Sequence, residues 1–145
     1  MENIDLENSI EEIVKELDDK NLLYMTSGKI MELKNNVLQK MYLSKEEIKD
    51  YHKKLKDYIY VDELQELTLG SYVRWFDLHQ EDMDKVELKK GGFVCDFVKG
   101  EDDINIVIKT RFSSFFSFPM NKCIIFKKLS LQEKILVKII DHINK

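Results

Sequence analysis

Between residues 104 and 128 the chain carries Lys109, Arg111, Lys122, Lys127 and Lys128 and no acidic side chain. Set among them are Phe112, Phe115, Phe116, Phe118 and Phe126. Cations attract phosphates and aromatic faces stack on unpaired bases, so this interleaving suits a nucleic-acid contact. Strands alone can also produce the pattern. Alternate side chains face opposite sides, so phenylalanines fill an interior while lysines stay in water. Phe115 and Phe116 break the alternation. As neighbours on a strand they point to opposite faces, and one of them lies outside the core unless a helix covers it.

Arg74 and Trp75 form a second pair of interest. On a strand they too face opposite ways. One reading puts Trp75 or Tyr72 in an aromatic pocket for a peptide or a methylated cation. The other puts Trp75 in the core, with Arg74 paired to Asp77 or Asp96.

The usual catalytic and metal patterns are missing. His52, His79 and His142 have no second histidine or cysteine at ligand spacing. Cys95 and Cys123 could meet across strands, but no histidine is near to activate either, and both read as buried free thiols. The acidic run Glu81-Asp82-Met83-Asp84 lacks calcium-loop spacing. Gly91-Gly92 precedes a strand instead of a helix, with no lysine and hydroxyl at the offset of a phosphate loop. The expectation is a non-enzymatic protein without metal or cofactor.

The elements that position these residues read as helix, then strands, then helix. Ile10, Ile13, Val14 and Leu17 make an apolar stripe over residues 4–20. Leu22 to Met25 is too short to assign to strand or helical turn. Ser27 caps a second expected helix, over residues 29–42, with Ile30, Leu33, Val37, Leu38 and Met41 inward. Ser44 with Glu47 three residues on is a capping box, in which hydroxyl and carboxylate each satisfy a free backbone N–H. It opens a third helix, with Ile48, Tyr51, Leu55 and Ile59 inward. Ser130 with Glu133 repeats the device before a terminal amphipathic helix. Between residues 69 and 128, glycine-punctuated apolar runs predict five strands, over 72–76, 93–98, 104–110, 115–118 and 123–127. Five short strands with tight turns suggest a small antiparallel barrel. The expected organisation is α+β: a helical region 1–66, a five-stranded barrel 67–129 and a closing helix 130–145.

The run Leu69-Gly70-Ser71-Tyr72-Val73-Arg74-Trp75-Phe76-Asp77, followed by Leu88-Lys89-Lys90-Gly91-Gly92-Phe93-Val94, resembles a pattern in small proteins of nucleocytoplasmic large DNA viruses. There, a glycine-led aromatic strand with a central arginine precedes a double-glycine strand and a phenylalanine-rich one. The layout is also similar to SH3-like barrels of the Tudor and KOW type. The resemblance covers about 60 residues and brings no catalytic residues. It implies a protein-interaction or structural module, a component of a virion or its assembly machinery.

Composition sets the remaining limits. The 145 residues have a formal charge of −4, which says little about partners. Its distribution says more: residues 1–50 carry 12 acidic against 7 basic side chains, whereas 104–128 is purely basic. That asymmetry fits an anionic partner or a basic face docked on an acidic one. No run approaches the roughly 20 apolar residues of a membrane span. The first 20 residues are acidic and amphipathic, unlike a secretion signal. Two cysteines make no disulfide framework, so an intracellular setting is expected. The primary expectation is therefore a module that binds a protein partner or itself. The alternative is a nucleic-acid-binding module using residues 109–128. The binding candidates are Arg74, Trp75, Lys109, Arg111, Phe115, Phe116, Lys122 and Lys127.

Overall fold

The computed structural model describes residues 8, 11, 12, 15, 26–78 and 86–143. Asn8, Glu11, Glu12 and Lys15 are helical and exposed. The rest of the first expected helix, the run 22–25, His79 and the acidic run 81–84 lie outside the described residues. Three helices have described bounds: α1 (Ser27–Gln39), α2 (Lys45–Lys54) and α3 (Leu131–Ile143). Six strands accompany them: β1 (Tyr58–Val61), β2 (Tyr72–Asp77), β3 (Gly92–Lys99), β4 (Ile104–Lys109), β5 (Phe115–Pro119) and β6 (Cys123–Lys128). None of the described helices is long and apolar enough to cross a membrane. The described residues fall into two compact units, one of residues 33–128 and one of those up to 32 with those from 129 on.

Both capping boxes form. Ser44 Oγ accepts from the Glu47 N–H at 3.1 Å, and Glu47 Oε1 accepts from the Ser44 N–H at 3.1 Å. Ser130 and Glu133 do the same at 3.1 and 3.0 Å. Such a cap stabilises a helix by about 1 kcal/mol. The cap of α1 is Thr26 instead of Ser27: its Oγ1 accepts from the Lys29 N–H at 3.1 Å. Ser27 already lies within the helix and donates its N–H to Asp141 Oδ1 at 2.9 Å, a bond between two residues of the same unit.

One position on α1 reverses the expected pattern. Leu33 is exposed, and Lys34 is buried, with 1% of its surface accessible. Its Nζ donates to the Leu55 carbonyl at 2.9 Å and the Lys56 carbonyl at 3.4 Å, just past the end of α2. A cation is favoured there because the last carbonyls of a helix lack intrahelical donors. Burial nevertheless lowers the Lys34 pKa below 10.5, partly offset by the charge of Asp57.

All six strands join one antiparallel sheet in the order β1-β6-β2-β3-β4-β5. This corrects the expected five-stranded barrel twice. The expected third helix carries its inner face on to Ile59, which continues the spacing of Tyr51 and Leu55. Instead α2 ends at Leu55, and Tyr58–Val61 pairs with β6. The ladder also stays open. Strand β6 pairs with β2 on one side and β1 on the other, so no edge of it remains to close on β5.

The sheet is nonetheless strongly coiled. A three-residue 3₁₀ turn, Met120–Lys122, links β5 to β6. Those strands are four places apart in the sheet, about 19 Å if it were flat. The four steps from Pro119 to Cys123 span at most about 14 Å. Trp75 on β2 stacks on Phe118 of β5 with centroids 4.6 Å apart, although β3 and β4 lie between their strands.

Alternation then divides the side chains. Val73, Trp75, Val94, Ile106, Ile108, Phe118 and Ile125 fill the inner face. Removing such side chains from water stabilises the fold by about 1.5–3 kcal/mol each. On the outer face of β1, β6 and β2, Tyr58, Phe126 and Phe76 are buried with Leu38 of α1, Met41 of the turn after it and Leu55 at the α2 terminus. Tyr51 of α2 meets Phe76 edge-on at 5.1 Å. Gly92 permits the close approach of β3 and β4, since a Cβ there would lie 2.3 Å from Ile108 Cγ2.

A bulge between Val94 and Asp96 adds one residue to β3. Val94 and Phe97 therefore both contact the inner core, and Cys95 is left exposed. Alternation along β3 is broken there, and Cys95 is not the buried thiol expected. Cys123 is half-buried, and its thiol is pushed up to about 12 by burial and then by the charge of Asp77.

Candidate nucleic-acid interface

The outer face of β3, β4 and β5 lies beyond the outer-face cluster that α1 and α2 cover. Strand register places side chains there that are distant in sequence. Tyr72 pairs with Phe93, Phe93 with Lys109, and Lys109 with Phe115. On the other side, the Lys128 ammonium lies 5.9 Å from the centre of the Tyr72 ring. The result is a line across five strands: Lys128, Tyr72, Phe93, Lys109, Phe115. Tyr72 and Phe93 meet edge to face at 4.9 Å. The Lys109 ammonium lies 5.9 Å from the Phe115 ring centre. Phe93 and Phe115 are 51% and 64% exposed.

The loop 110–114 extends one end of this line. It closes through the Thr110 N–H on the Ser114 carbonyl at 2.8 Å and the Ser114 N–H on Thr110 Oγ1 at 3.2 Å. Ser113 has φ +62°, a left-handed conformation that tightens the turn. At the tip, Phe112 is 83% exposed, with the Arg111 guanidinium 6.0 Å from its ring centre. Along this end of the sheet Lys109 thus stands between the exposed rings of Phe93 and Phe115, with Arg111 beside that of Phe112. Asp96 is the carboxylate on this face of β3, and its Oδ1 accepts from the Phe97 N–H at 2.8 Å.

The eight candidate residues divide. Lys109 and Phe115 are paired neighbours, and Arg111 lies in the loop that joins their strands. Phe116 lies beside them but on the other face, opposite Ile108, and it is also exposed. Both members of the Phe115–Phe116 pair are therefore outside the core, because β5 is an edge strand. Phe118 and Phe126 are buried, so the stretch supplies both core and surface aromatics.

Trp75 is buried against Phe118. Arg74 donates Nε to the Lys89 carbonyl at 2.8 Å, a backbone partner where a carboxylate was expected. With the Tyr72 hydroxyl on the Lys90 carbonyl and the Lys89 N–H on the Trp75 carbonyl, it holds residues 89–90 along β2. Lys127 lies on the inner face between Ile59 and Val73. Lys122 lies in the 3₁₀ turn, roughly 17 Å along β6 from Lys127.

Lys128 belongs to the basic stretch and Tyr72 to the aromatic-pocket reading; Phe93, which completes the line, was not among the candidates. Strand alternation within 93–98 cannot find Phe93, because only its pairing with Tyr72 and Lys109 places it there. Among the described residues, no three His, Cys, Asp or Glu side chains converge as they would around a metal.

No family model, no curated protein and no solved structure matches this chain.

Proposed function

We propose that the protein is a non-enzymatic nucleic-acid-binding module that works through the outer face of β3, β4 and β5. The observation that carries this reading is the line Lys128, Tyr72, Phe93, Lys109, Phe115, extended by Arg111 and Phe112. Its cations can meet phosphates, and the face is broad and open. The fold reading that goes with it is an SH3-like barrel opened by an extra edge strand. The order β6-β2-β3-β4-β5 and the 3₁₀ turn between β5 and β6 support it, with the glycine-led pattern of residues 69–94.

The test is binding of a fluorescent oligonucleotide followed by anisotropy across salt concentrations. Lys109, Arg111 and Lys128 represent about three phosphate contacts, so affinity should fall about 20-fold between 50 and 200 mM salt. Lys109→Glu with Arg111→Glu should abolish binding. No binding at 50 mM salt, or an unchanged double variant, refutes the reading.

Edge strand β5, with Phe115 and Phe116 exposed on opposite faces, supports a second reading as a protein-interaction or structural module. A partner strand or a second copy would add to that edge. The resemblance to proteins of large DNA viruses makes a virion or its assembly the proposed setting, inside a cell or particle. Mass measurement in solution tests it: a monomer at all concentrations that co-purifies with nothing counts against this second reading.

A further inference from the structure

We infer that the ligand of this face is a single strand, DNA or RNA, whose bases stack on Phe93 and Phe115 while Lys109 between them takes a phosphate. The inference rests on the nucleic-acid reading and goes further by naming the form of the ligand. Phosphate attraction alone does not need aromatic rings, yet here a cation stands in register between two exposed rings. Phe93 and Phe115 flank Lys109 on strands two places apart, about 10 Å between ring positions. Bases in a duplex are held about 3.4 Å apart in their stack, with their faces hidden. A rigid duplex therefore cannot lay base faces on two rings that far apart. A single strand can splay its bases, and unpaired bases stack on aromatic side chains without regard to sequence.

Charge supports the same occupant. The Lys109 ammonium lies 5.9 Å from the Phe115 ring centre and the Arg111 guanidinium 6.0 Å from that of Phe112. A phosphate between neighbouring bases would draw each cation away and leave the ring face to a base. Residues 104–128, which supply β4, the loop and β5, contain no carboxylate to repel the backbone.

The experiment compares four probes on the full chain at 50 mM salt: a 12-nucleotide oligothymidine, the matching oligouridine, an abasic strand of the same length and charge, and a 12-base-pair duplex. At least one base-bearing single strand should bind tenfold or more tightly than both the abasic strand and the duplex. A preference between oligothymidine and oligouridine then tells DNA from RNA. Phe93→Ala and Phe115→Ala should each lose about fivefold or more for the base-bearing strand and little for the abasic one. Phe93→Trp and Phe115→Trp should restore binding, which separates stacking from a fold defect. Equal affinity for the abasic strand, equal affinity for the duplex, or alanine variants that bind like the parent overturns the inference and leaves phosphate-driven binding standing. Failure of every probe removes both.

Discussion

The coiling of the sheet can be tested through a single aromatic pair. Trp75 and Phe118 stack at 4.6 Å with an interplanar angle of 23°. Their strands, β2 and β5, are three places apart, about 14 Å in a flat sheet. A pair of this kind contributes about 0.5–1.5 kcal/mol beyond the area it buries. Residues more than about 7–10 Å apart, in contrast, show coupling of at most about 0.3–0.5 kcal/mol. The perturbation is the double-mutant cycle of Trp75→Leu and Phe118→Leu. Leucine is preferred to alanine because truncation to alanine costs about 3–5 kcal/mol, a large share of a total stability of about 5–15 kcal/mol. Urea unfolding followed by far-ultraviolet circular dichroism suits all four proteins, since two of them lack the only tryptophan. The expected coupling is about 1 kcal/mol. A value of about 0.3 kcal/mol or less would mean that the rings do not touch and the sheet does not curl.

Two more predictions concern buried ionisable groups. Burial holds the Lys34 pKa below 10.5 in the folded chain, so the folded state releases its proton before the unfolded state does. The penalty is fully present below the folded pKa and fades as pH rises towards 10.5, so parent stability should rise relative to Lys34→Met by up to about 1.4 kcal/mol per pH unit across that window. Urea midpoints at stepped pH check this, and a constant difference would refute it. With its thiol pushed up to about 12, Cys123 is thiolate in only about one molecule in 10⁴ at pH 8. Iodoacetamide should therefore label exposed Cys95 on the native chain and reach Cys123 only in urea; peptide mass spectrometry decides, and comparable native labelling of both refutes it.

Much of the candidate site was legible before any coordinates. Lys109, Arg111 and Phe115 stand out by type and spacing; strand pairing sets Lys109 beside Phe115, and Arg111 lies in the loop that joins their strands. Trp75 lies in the core, one of the two readings its place on the strand allows. Lys122 and Lys127 shared the same run of sequence but not the same surface, because one lies in a turn and the other on the inner face. Closeness along a chain sets no distance across a sheet.

The residues by themselves determined what depends on neighbours a few positions away: both capping boxes, five of the strands, and the two faces of Tyr72–Asp77. Hydrogen bonds between Ser44 and Glu47, or alternation along β2, need only local backbone geometry. Tertiary structure alone decided which strand lies beside which. It moved Ile59 from an expected helix face to an edge strand, shifted the phase of β3 at Cys95, buried Lys34 in place of Leu33, and set Phe93 between Tyr72 and Lys109. These outcomes depend on partners far along the chain, whose register and burial no local spacing records.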